Sequence, residues 1–130
     1  MSARAVAISL KIPDNAAYTA LVTLRRLGID LADVERSQIV RFANASPSAD
    51  LAERVERDES LFNPNKHRVT VLERDAPRPG EVWIVQDDDE RPVGWRLFVA
   101  PGVPADTAIL AQAAERLLCN PAIERAIYPA

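Results

Sequence analysis

At 130 residues, with 48% hydrophobic and 27% charged residues and a net charge of −3, the chain suits one compact domain with a core that needs no disulfide staples. Its 16 basic residues are spread against 19 acidic ones, so it lacks the concentrated basic patch that phosphate-backbone binding uses, and no nucleic-acid partner is expected. One cysteine, one histidine and four glycines exclude an internal disulfide and leave little for a metal cluster or a glycine-rich phosphate loop. No apolar run is long enough to cross a bilayer or to open the chain as a signal segment, and a reducing cytoplasm is expected.

Residues 5–12 alternate, with Val6, Ile8, Leu10 and Ile12 on one face, which predicts a half-buried strand. Pro13 breaks it, and Asp14 is placed to cap a helix of about fifteen residues whose apolar positions Ala17, Leu21, Leu24 and Leu27 recur at helical spacing. Gly28 closes that helix, because glycine takes the left-handed conformation without steric cost. Val34 to Phe42 predicts a second strand, bent or bulged midway. Ser46-Pro47 reads as the cap and first residue of a second helix with Leu51, Val55 and Phe62 on its apolar side, stopped by Asn63-Pro64. His67 to Glu73 alternates again and predicts a third strand.

Ala76-Pro77-Arg78-Pro79-Gly80 continues neither a helix nor a central strand, so the chain divides into a unit over 1–75, a linker over 76–81 and a second unit over 82–130 sharing the core. In the second unit Val82–Val85 and Trp95–Val99 form an expected antiparallel hairpin around a polar tip over 86–92. Asp106 caps a third helix with Ile109, Leu110, Ala113, Leu117 and Leu118 as its stripe, Asn120-Pro121 stops it, and 123–128 is a last short strand. The expected core is Val6, Ile8, Leu10, Leu21, Leu24, Val69, Val71, Ile109, Leu110 and Leu117.

Two segments share one punctuation: Leu61-Phe62-Asn63-Pro64 with Arg68, and Leu118-Cys119-Asn120-Pro121 with Arg125, at a constant offset of 57. The strand–helix–strand–helix–strand order over 5–73, the run Leu24-Arg25-Arg26-Leu27-Gly28 and these paired stops resemble PurS, the small subunit of phosphoribosylformylglycinamidine synthase. The stretch from Ala114 to Glu124 is similar to the family's C-terminal helix-to-strand junction. The chain departs from the family in length and at the first helix entry, which here is Pro13-Asp14-Asn15-Ala16, and Arg36-Ser37-Gln38 stands where the family has Gly-Lys. The resemblance implies a ferredoxin-like α+β fold, an antiparallel sheet with helices on one face, in one and a half internal copies. It also implies a non-catalytic subunit that bridges glutaminase and synthetase partners in glutamine- and ATP-dependent purine biosynthesis.

No catalytic, cofactor-binding or metal-ligating residue is assigned from the sequence. His67, between Lys66 and Arg68, has no base partner or companion ligands in sequence and reads as a surface or satisfied histidine. Cys119 follows a helix C-terminus, where the dipole opposes a thiolate, and reads as a packing residue. Asp87-Asp88-Asp89-Glu90 matches no calcium-loop spacing and reads as a solvated hairpin tip. Trp83 and Trp95 are expected to meet across the hairpin or to expose a binding surface. Open sheet edges predict self-association into a dimer or higher oligomer, or a stable complex. The alternative function is a small-metabolite-binding regulatory module on the same scaffold.

Overall fold

Seven strands and three helices form one antiparallel sheet with helices packed on it, an α+β architecture. The computed structural model describes residues 2–129. In chain order the elements are β1 (Ser2–Leu10), α1 (Asn15–Arg26), β2 (Asp33–Pro47), α2 (Ser48–Glu56), β3 (His67–Leu72), β4 (Glu81–Gln86), β5 (Asp89–Ala100), β6 (Val103–Pro104), α3 (Thr107–Ala113) and β7 (Glu124–Ile127). A π-helical turn, Ala114–Leu118, continues α3. The sheet order is β3-β1-β2-β5-β4-β7, with β6 added to β5.

The register assigns every side chain a face. Ile8, Gln38, Val93 and Ile84 lie in one row across β1, β2, β5 and β4, so Val6, Ile8, Val82 and Ile84 share a face. Leu51 and Val55 of α2 pack on Val6 and Ile8 at one end of that face. Leu21 and Leu24 of α1, with Leu110 and Ala113 of α3, pack on Val34, Val82, Ile84 and Leu97 at the other. On the opposite face the connection from β3 to β4 must pass β1, β2 and β5, because β4 lies beyond them in the sheet. That crossover buries Pro77, and Ala5, Ala7, Ile39, Leu72 and Trp83 form a second buried layer on this face. The middle of β1 is therefore covered on both faces, which is why Ala5 and Ala7 are as buried as Val6 and Ile8.

Several expectations are corrected. β1 ends at Leu10, and Ile12 is half exposed, because the chain leaves the sheet at Lys11. α1 is shorter than expected, with Asp14 capping it and Gly28 beyond its end at φ 89°. β2 runs on to Pro47, and a register shift between Ala3 and Ala5 absorbs its extra residues against β1. Pro47 is accordingly the residue before α2 rather than its first. α2 ends at Glu56, so Phe62 packs on the core from the following turns and Asn63-Pro64 is a turn rather than the helix stop. The expected hairpin tip is mostly strand: only Asp87 and Asp88 turn, and Pro92 is buried within β5. The side chains of Asp89 and Glu90 lie outside the described residues.

Trp83 and Trp95 do not pair. Trp83 faces Gly94, and Trp95 faces Val82, one residue out of step, so period-two pleating sends the indoles to opposite faces. Of the expected core, Val6, Ile8, Leu21, Leu24 and Leu110 are buried and Leu10, Val69, Val71 and Ile109 half-buried, but Leu117 is exposed. The cause is the π turn, in which Cys119 N–H reaches back to the Ala114 carbonyl and the wider winding carries Leu117 off the α3 stripe. Among the described residues no helix is long and apolar enough to cross a membrane.

Candidate functional site

On the helix-bearing face, α1 and α2 stand apart and leave a cleft of about 290 Å³ over the middle of the sheet. Asp14 works twice at its rim: Oδ1 accepts the Ala16 and Ala17 amides that begin α1, at 3.0 and 3.1 Å, while Oδ2 accepts from Arg36 Nε at 3.2 Å. Arg36 also lies over the Trp95 ring at 6.0 Å. His67 borders the same cleft, but its Nδ1 accepts the Asn63 amide at 2.9 Å, which leaves the neutral ring's proton on Nε2.

The opposite, helix-free face carries a longer feature. Arg68, Ser9, Ser37, Gly94 and Trp83 form a single row across β3, β1, β2, β5 and β4. Ser9 and Ser37 of that row floor a trough of about 550 Å³, which continues between the ends of β1 and β2 to the α1 entry at Asp14 and Ala17. Arg68 and Thr70 of β3 wall one side, Arg78 of the crossover and Arg96 of β5 the other, and Lys11 and Glu35 stand at the rim. Arg78 is neutralised by Glu81, Arg36 by Asp14, and Lys11 Nζ donates to the Pro64 carbonyl at 2.9 Å. Arg96 Nε donates to the Pro79 carbonyl at 3.1 Å, which holds the guanidinium at the trough wall.

Beneath the crossover lies the structure's one fully buried carboxylate among the described residues, Glu81. Its Oε2 accepts from Arg78 Nη2 at 2.7 Å, and its Oε1 accepts from the Arg78 amide and Trp83 Nε1, each at 3.0 Å. Gly94 makes room for it, since a β-carbon there would stand 2.8 Å from Oε2. A second pair anchors the crossover nearby: Arg41 and Asp75 meet in two hydrogen bonds of 2.7 and 3.0 Å. Their hydrogen bonding holds the Asp75 carboxyl below its ordinary range and raises Arg41. Burial pushes the Cys119 thiol up, with Glu124 adding to the shift, so it is a poor nucleophile at neutral pH.

The two Asn-Pro turns repeat bond for bond. Asn63 Oδ1 accepts from the Asn65 amide and its carbonyl accepts from the Lys66 and His67 amides. Asn120 Oδ1 accepts from the Ala122 amide and its carbonyl accepts from the Ile123 and Glu124 amides. Even the asparagine N–H finds a side chain four residues on, His67 Nδ1 in one turn and Glu124 Oε1 in the other. The asparagine side chain mimics a backbone turn, and the proline that follows fixes φ and has no N–H to donate.

The sequence reading missed Glu81 and the trough. For Glu81, Gly94 inside an apolar strand was the available signal, because an interior strand glycine marks close approach of another group. Asp87 and Asp88 are exposed, in keeping with a solvated tip, and no group of metal-ligating side chains occurs among the described residues. Comparison with protein-family models, with curated proteins and with solved structures finds no match to this chain.

Proposed function

We propose that this chain is a non-catalytic interaction subunit of the PurS type, built from one and a half ferredoxin-like copies, that supports glutamine- and ATP-dependent formylglycinamidine ribonucleotide synthesis in the cytoplasm. The observation that carries the reading is the pair of Asn-Pro turns, because the residues on which the resemblance rests make the same hydrogen bonds 57 positions apart. The strand order supports it. β1 lies between β2 and β3 as β4 lies between β5 and β7, and β2 pairs with β5 where the two copies meet. In the second copy the turn at Asp87-Asp88 replaces α1.

The charged side chains support a role in assembly rather than turnover, since His67 is committed to a backbone amide and Glu81 to Arg78 and Trp83. The outer edges of β3 and β7 remain for pairing with a second copy or with the glutaminase and synthetase subunits. Size-exclusion chromatography with light scattering tests this on the chain alone and mixed with both large subunits from the same cell. Co-migration with either subunit is expected, and separate elution from both contradicts the proposal. The second reading, a metabolite-binding regulatory module, is favoured by one observation, the trough on the helix-free face.

A further inference from the structure

We propose that the trough on the helix-free face is a binding site for a small metabolite bearing a dianionic oxyanion group, a phosphate monoester or a dicarboxylate. The site stands independently of the assembly role, because it rests on the geometry of one face of the sheet. Its floor is Ser9 and Ser37, whose hydroxyls can donate to an oxyanion, and Arg68 ends their row on β3. Large side chains occupy the same face elsewhere, at Leu72, Ile39 and Trp83, so the small residues open a pit in an otherwise filled layer. The volume, about 550 Å³, suits a metabolite rather than a macromolecular segment.

The charge balance selects the ligand's sign. With Arg78 and Arg36 each paired to a carboxylate, Lys11, Arg68 and Arg96 face the trough against Glu35 alone. This is a net positive depression on a chain whose formal charge is −3, so the field there opposes that of the molecule as a whole. Guanidinium groups match planar or tetrahedral oxyanions through paired N–H donors, and two of them on opposite walls can grip two oxygens at once. In the helix-bearing cleft, Arg36 is already bound to Asp14 and lies over Trp95.

Amide chemical-shift titration of the full chain tests the site, with inorganic phosphate, glycerol 3-phosphate and succinate as probes and sodium chloride at matched ionic strength as control. Saturable shifts centred on Ser9, Ser37, Arg68 and Arg96 are expected with the phosphate probes or with succinate, and the tighter class identifies the source of the oxyanion. Arg68→Gln, at an exposed position, should weaken binding tenfold or more without disturbing the fold, and Ser37→Val should block it by filling the floor. Gln38→Ala, on the other face, should leave it unchanged. The proposal is overturned by shifts that follow chloride without saturating, by shifts centred on Gln38 and His67, or by affinity in Arg68→Gln within twofold of the parent.

Discussion

Replacing Arg78 by methionine keeps the aliphatic stem that covers the sheet and removes only the charge that faces Glu81. In the parent, Glu81 is 0% exposed and its Oε2 depends on Arg78 Nη2 at 2.7 Å, whereas Oε1 keeps the Arg78 amide and the Trp83 indole. Breaking a buried ion pair from one side costs about 3–5 kcal/mol. Two surviving donors and the 21% exposure of the Arg78 side chain place Arg78→Met at the low end, about 3 kcal/mol. That corresponds to a fall in Tm of about 10 °C for a domain of this size. Glu81→Gln removes the charge from the other side, and the double variant should be less destabilised than the sum of the singles by about 1–3 kcal/mol. Urea unfolding at neutral pH followed by far-ultraviolet circular dichroism measures all four proteins. A loss below about 1 kcal/mol in Arg78→Met, or additivity within about 0.5 kcal/mol, would refute the role assigned to the pair.

Leu110 is fully buried and Leu117 is 41% exposed, so Leu110→Ala should cost about 2–5 kcal/mol and Leu117→Ala less than about 1 kcal/mol. Equal losses in urea titrations would show that the π turn does not rotate the stripe as described. Asp14→Ala removes the α1 cap and the partner of Arg36 together, and a loss of about 1–2 kcal/mol is expected. An unchanged unfolding midpoint would contradict the capping role. The Asp75 carboxyl titrates below its ordinary range in the folded protein, so its pairing with Arg41 stabilises fully above the unfolded-state value and the effect disappears as pH falls through the folded-state value. The stability gap between the parent and Asp75→Asn should therefore be largest near neutrality and close in acid, and a gap independent of pH would rule the linkage out.

The local rules were legible where one physical cause decided the outcome. Alternation at Val6, Ile8, Val69 and Val71 found strands, Asp14 and Asp106 each cap the helix assigned to them, and the Asn-Pro pair marked equivalent turns. The failures share a different cause, in that tertiary contact overrode local chemistry. Asp89–Pro92 reads as a polar loop, yet β4 and the backbone of β5 extend the ladder through it. Leu117 fits the α3 stripe until a hydrogen bond one residue longer rewinds the helix. Glu81 reads as an ordinary strand-end carboxylate, and only the crossover passing over the sheet buries it. The trough was hidden for the same reason, because Arg68, Ser9, Ser37 and Arg96 come from four strands and meet only through the register.

The most direct test of the proposed role is reconstitution of the amidation step. Purified glutaminase and synthetase subunits from the same cell are assayed with glutamine, ATP and formylglycinamide ribonucleotide, with and without this chain. Glutamine-dependent turnover is expected to rise saturably as the chain is added, while the chain alone shows none. Turnover unchanged at any ratio of the three proteins would contradict it.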